Sequence, residues 1–114
     1  MNAAEFEKQF KCARSTLNRE YMHSVIEETI DALSTDSNPR GHENLIIAME
    51  ELAELSQQVS KTLRGQEDRM HLLEELADVY IGNEFVKSIC GFSDDEIARA
   101  INVKLDRLHA RSNK

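Results

Sequence analysis

The residues Glu50-Glu51-Leu52-Ala53-Glu54-Leu55 return almost unchanged as Glu74-Glu75-Leu76-Ala77-Asp78-Val79, each time within a helical pattern of apolar residues. At about 100° per residue, Glu51 and Glu54 fall on adjacent positions of one helix face, and Glu75 and Asp78 do the same on theirs. Two such helices packed together would converge four carboxylates on one small volume. Like charges that close raise each other's pKa values and repel, a costly arrangement unless something positive sits among them. A hard divalent cation meets that need. Mg2+, Mn2+ and Ca2+ all prefer oxygen ligands, and neither motif contains a Cys or His to soften the site.

The elements that must position these carboxylates are helical. Phe6, Phe10, Ala13 and Leu17, continued by Tyr21, Val25, Ile26 and Leu33, are spaced for one long helix or two consecutive ones. The stretch from Leu33 to Gly41 gathers turn formers and the only proline, so a loop is expected there. From about His42 to Arg64, the residues Leu45, Ala48, Met49, Leu52, Leu55, Val59 and Leu63 form a narrow apolar stripe closed by Gly65. Glu51 lies about 100° from Leu52 and Glu54 about 160° on the same side, so the acidic pair borders this expected core stripe, with Ile47 and Gln58 in the same sector. From about Arg69 to Ile89 the pattern repeats, with Leu72, Leu73, Leu76, Val79 and Tyr80 expected inward. Gly82 falls one turn beyond Asp78, where a missing side chain lets a ligand or a backbone come close. Ser93-Asp94-Asp95-Glu96 forms a capping box that opens a last helix with Ile97, Ile101, Leu105 and Leu108 as its core stripe.

Composition bounds the possibilities. At 114 residues, a single domain spanning 1–114 is expected. The cysteines Cys12 and Cys90 form no C-x-x-C pair, which indicates free thiols and a reducing cytoplasm rather than a disulfide scaffold or zinc knuckle. No apolar run approaches the roughly 20 residues needed to span a bilayer, and Glu5 and Glu7 beside Phe6 do not resemble a signal peptide. A net charge of -7 argues against nonspecific binding to nucleic-acid polymers. The charge is uneven, however: Arg99, Lys104, Arg107, Arg111 and Lys114 collect near the end while the acids crowd the middle, a pattern suited to a metal site facing an anion-binding element.

A lone E-x-x-E is ordinarily a solubilising surface pattern. Its duplication with the same flanks, and Ala53 and Ala77 at matching small positions that would let two helices approach, favour a shared metal site. Glu50-Glu51-x-x-Glu54, a spacer of 20 residues and Glu75-x-x-Asp78 together resemble the E-E-x-x-E and E-x-x-D signature of the all-α nucleoside triphosphate pyrophosphatases of the MazG type. Asn102-Val103-Lys104-Leu105-Asp106-Arg107 is similar to that family's closing N-x-K-x-x-R element, and Lys61 with Arg64-Gly65 to the usual ending of its first metal helix. The resemblance covers roughly His42 to Arg111.

It implies an all-α bundle of four to five helices, assembling into a dimer or tetramer whose neighbouring subunit helps to complete the pocket. It also implies Mg2+ ligation by Glu51, Glu54, Glu75 and Asp78, with Lys61, Lys104 and Arg107 holding a triphosphate. The implied reaction cleaves between the α- and β-phosphates, giving a nucleoside monophosphate and pyrophosphate, as in house-cleaning of the nucleotide pool. Phosphoryl transfer needs metal, cationic clamps and an oriented water whatever the family. Glu50 or Glu54 is the candidate base for that water, although Glu50 projects away from the Glu51 and Glu54 sector. Asn44, Gln58 and Asn102, with Phe85, are candidate contacts to the nucleotide, whereas Tyr80 is expected in the core.

Three alternatives remain at this level. A ferritin-like centre needs Glu-x-x-His from two helices, and the chain offers only Glu20-x-x-His23; His23, His42, His71 and His109 suit surface or capping roles. A phosphoribosyl-ATP pyrophosphohydrolase shares the helical design and the bond cleaved. A non-catalytic helical interaction or regulatory protein would use the acidic stripes for solvation alone.

Overall fold

The computed structural model describes residues 2–112, so Lys114 lies outside the described residues. Five helices follow one another: α1 (Ala3–Cys12), α2 (Arg19–Leu33), α3 (His42–Leu63), α4 (Arg69–Cys90) and α5 (Asp94–Ser112). The fold is an all-α helical bundle. The helix pattern over the first third resolves into two helices separated by residues 13–18, and the loop expected after Leu33 is present. None of the described helices is long and apolar enough to cross a membrane.

Local chemistry sets the helix ends. Asn18 and Asp68 accept hydrogen bonds from the Tyr21 and His71 backbone N–H groups at 3.0 and 3.1 Å, meeting donors that a helix start otherwise leaves unpaired. Ser93 and Glu96 form the expected reciprocal box: the Glu96 N–H donates to Ser93 Oγ at 3.1 Å, and the Ser93 N–H donates to Glu96 Oε1 at 3.0 Å. Past the end of α3, the Gln66 N–H reaches back to the Lys61 carbonyl at 2.8 Å, a closure that leaves Gly65 at φ +75°.

The dominant packing is α3 against α4, an antiparallel hairpin on which α2 and α1 rest through α4. The inward residues of α3 are Asn44, Ala48, Glu51, Leu55, Gln58 and Thr62, and those of α4 include His71, Glu75, Asp78, Gly82, Phe85 and Ile89, all buried or half-buried. Both sets alternate steps of four and three, the spacing of a helix-helix seam. Gly41 opposite Ile89 and Ala48 opposite Gly82 fix one antiparallel register along its length.

This seam corrects the expected one. Met49, Leu52, Val59 and Leu63 are exposed, Leu63 by 83%, as are Leu73 and Leu76; Tyr80, expected inside, is 73% exposed. Ala53 and Ala77 also face outward, and the close approach of the helices occurs at Ala48 and Gly82 instead. The hairpin turns its polar and small residues inward because the carboxylates share that face with Ala48 and Gly82, the residues that permit close contact. Its apolar stripe is left outward. Fully buried hydrophobic residues are accordingly few: Ile26 and Ile30 of α2, and Ala48.

α5 departs furthest from expectation. Apart from half-buried Ile97, all its residues are exposed, including Ile101, Leu105 and Leu108, and it forms no extensive packing with the other helices. The radius of gyration is 16.7 Å, against about 13 Å for a compact domain of this length. Polar ties hold α2 and the following loop to the hairpin: Ser88 Oγ donates to Glu27, and Arg40 Nη2 donates to Glu27 Oε2 at 2.6 Å.

Gly41 is where the loop enters α3. Its φ of +81° is the left-handed region, and a Cβ there would stand 2.5 Å from Ile89 Cγ1, whereas Gly65 at φ +75° has nothing within 4 Å. Gly65→Ala is expected to cost about 1 kcal/mol for backbone conformation alone. Gly41→Ala should cost roughly 2–4 kcal/mol, because Ile89 must also move. Urea denaturation of both variants measures the difference, and equal losses would remove the steric role of Ile89.

Candidate metal centre

Glu51 on α3 and Glu75 on α4 meet within the seam, where helix register brings the two acidic repeats side by side. Carboxylate oxygens of Glu51, Glu54 and Glu75 all lie within 4.8 Å of one another, a separation that a single bound cation can bridge. Asp78 faces Glu51 across the seam, beside this group of three. Glu75 is only 5% exposed, Glu51 and Asp78 are half-buried, and Glu54 stands at the exposed edge.

The electrostatics are those of an acidic cluster drawn out of water. Burial first, then repulsion from Asp78, Glu54 and Glu75, pushes the Glu51 carboxyl up from its ordinary 4.5 to about 7. Burial likewise raises Glu75, with Glu54 and Asp78 adding to the effect and the His71 imidazole acting against it. Asp78 is raised mainly by burial, while a hydrogen bond shared with Glu51 works in the opposite direction. Glu51 Oε2 and Glu75 Oε2 are buried without a hydrogen-bond partner among the described residues. Unpaired acceptors of this kind, in an all-oxygen donor set, fit a hard divalent cation.

The other candidate residues are distributed unevenly. Glu50 is exposed and lies outside the cluster, so of the two candidate bases the structure brings only Glu54 to the carboxylates. Lys61 is exposed on the last turn of α3. Lys104, Arg107 and Asn102 are exposed on α5, and among the described residues neither cation forms an ion pair with the cluster. Gln58 is buried in the seam one turn beyond Glu54, and Asn44 is buried two turns before Glu51. Phe85 lines a cavity that adjoins Glu51 and Asp78, together with Thr29, Leu33 and Ile81.

His71 is the residue that sequence inspection missed. Its Nε2 lies 3.4 Å from Glu75 Oε1, so the imidazole abuts the cluster instead of serving as plain surface. The signal was its position four residues before Glu75, one turn away on the same face.

No family model, curated protein or solved structure matches the chain.

The raised carboxylates couple stability to pH. With folded-state values above the ordinary ones, the folded chain holds more protons than the unfolded chain between about pH 4.5 and 7. The cost of ionising Glu51 inside the seam is therefore absent below that window and complete above it. In chelator, the melting temperature should fall as pH rises across the window by more in the wild type than in Glu51→Gln, which has no proton to lose there. Identical pH profiles of the two proteins by differential scanning calorimetry would refute the coupling.

Proposed function

We propose that this protein is a Mg2+-dependent nucleoside triphosphate pyrophosphohydrolase, cleaving between the α- and β-phosphates and acting in the cytoplasm to clear surplus or non-standard nucleotides. The observation that carries the proposal is the cluster of Glu51, Glu54 and Glu75, beside Asp78, in which buried oxygens of Glu51 and Glu75 have no hydrogen-bond partner among the described residues. The bound cation, Mg2+ or Mn2+, would neutralise charge on the triphosphate and on the departing pyrophosphate. Hydrolysis joins a water oxygen to the α-phosphorus, breaks the bond from that phosphorus to the bridging oxygen and releases pyrophosphate. Glu54 is suited to take the proton of that water, since it combines a place in the cluster with access to solvent.

The triphosphate clamp, on this proposal, comes from a second copy of the chain. α5 carries Lys104 and Arg107 on exposed turns without extensive packing, and the apolar stripes of α3, α4 and α5 lie open. The accessible surface of 9045 Å² exceeds by more than 2,000 Å² the roughly 6,300 Å² expected of a compact monomer of this size. An excess of that order is what an obligate homodimer or homotetramer buries. Pairing would seat the basic half of α5 near a neighbour's carboxylates and exclude water from the outward stripes.

A pyrophosphate-release assay across ribo- and deoxyribonucleoside triphosphates with Mg2+ tests the activity. Glu51→Gln and Asp78→Asn are each expected to lower kcat at least about a hundredfold, the scale of losing a preorganised charge-stabilising group. They should also abolish the rise in melting temperature that Mg2+ gives the wild type. Folded protein that turns over no triphosphate would overturn the proposal. Mixing Glu75→Gln chains with Lys104→Ala/Arg107→Ala chains is expected to restore part of the activity lost in each, because one mixed site then holds both intact sets; no recovery after subunit exchange would place the clamp elsewhere.

A further inference from the structure

The carboxylates stand at one end of a cavity of about 220 Å³ whose walls are otherwise mostly apolar, including Ile47, Ala48, Gly82 and Phe85. Asn44 also lines it, is 5% exposed, and has an Oδ1 atom with no hydrogen-bond partner among the described residues. An amide oxygen shut away from water without a donor is destabilising, a penalty that a ligand donor removes. Thr29, the other uncharged polar residue of the lining, donates its hydroxyl to the Val25 carbonyl at 2.7 Å. Asn44 is therefore the uncharged side-chain acceptor of this lining that is left without a donor among the described residues, beside the unpaired Glu51 Oε2 at the carboxylate end.

Ile81 and Phe85 also line a second, larger cavity of about 690 Å³, formed with the segment 12–18, Tyr21 and Val25. The shared walls set an order: carboxylates, then a small cavity with one acceptor, then a roomy apolar cavity. A nucleotide presents phosphate, pentose and base in the same order. The small cavity falls below the ~300–1,000 Å³ typical of pockets for whole ligands, so it suits one ring and not a complete nucleoside.

We propose that the small cavity takes the pentose of the substrate, with Asn44 Oδ1 accepting a hydrogen bond from the sugar 3′-hydroxyl, and that the larger cavity beyond Phe85 takes the base. The inference rests on the nucleotide pyrophosphohydrolase proposal for the phosphate end alone. Asn44 is then the specificity-determining residue for the sugar.

The test compares 2′-deoxynucleoside and 2′,3′-dideoxynucleoside forms carrying the same base, for each of the four bases. Two readouts are taken: kcat/KM on the triphosphates with Mg2+, and calorimetric affinity for the monophosphates, which needs no turnover. The wild type is expected to favour the hydroxyl-bearing form by about ten- to a hundredfold, the scale of one buried acceptor left unpaired. Asn44→Leu, similar in size and without an acceptor, is expected to erase the preference while keeping the Mg2+-induced rise in melting temperature. Equal treatment of the two sugars by the wild type, a comparison that needs no variant, overturns the assignment, and so does a preference that survives in Asn44→Leu. Hydroxyl-selective binding without hydrolysis leaves the sugar site standing and removes the activity, whereas no nucleotide binding at all overturns both.

Discussion

Three carboxylates, Glu51, Glu75 and Asp78, share the interior face of a two-helix seam with Glu54 at its exposed edge, and most of the structure follows from keeping them there. Placing Glu51 and Glu75 between α3 and α4 takes charge out of water, which in a small protein opposes folding unless the charge is neutralised or compensated. Protons do so at low pH, and on the proposed function a divalent cation does so at neutral pH. The seam is thus held together only in part by packing. Its central contact, Ala48 against Gly82, brings the two backbones close enough for carboxylates on opposite helices to reach one ion.

Giving the interior of the hairpin to polar and small residues has a cost on the outside. Helices this long need a buried apolar face for most of their stability, and the apolar faces of α3, α4 and α5 point to solvent. α2 offsets part of this by inserting Ile26 and Ile30, and Glu27 ties it to Ser88 of α4. The remaining apolar surface and the unpacked α5 agree with a protein whose second core forms between subunits. Such a design separates the two charges of the proposed reaction: the acidic half of the site lies inside one hairpin, and the basic half sits on a helix free to meet another.

A metal cluster alone does not choose a substrate. Here the cluster opens onto a cavity with one unpaired amide, and that cavity adjoins a larger apolar one through Ile81 and Phe85. Selectivity for the organic part of a phosphate ester would then arise within a single chain, whereas the phosphate clamp would depend on assembly. The two functions would respond to different changes, seam residues such as Asn44 affecting the sugar and α5 residues affecting the triphosphate.

Helical character throughout, the ends of α3 and α4, the capping box at Ser93 and the paired acidic repeats were legible in the sequence, because each depends on residues within one or two turns of each other. Which face of the hairpin turns inward was not. Leu52, Met49 and Leu63 make the stronger apolar stripe, and periodicity alone assigns them to the core; the fold instead buries Asn44, Ala48, Glu51, Leu55 and Gln58, a weaker pattern at seam spacing. Hydrophobicity reports that a face will be covered but not whether its own chain or another covers it. The alliance of His71 with Glu75, the orphaned oxygen of Asn44 and the separation of Lys104 and Arg107 from the cluster likewise depend on register between distant segments. The chain by itself determined which groups exist and on which helices; only tertiary packing decided which of them meet, since a few residues of register between α3 and α4 select the facing pairs.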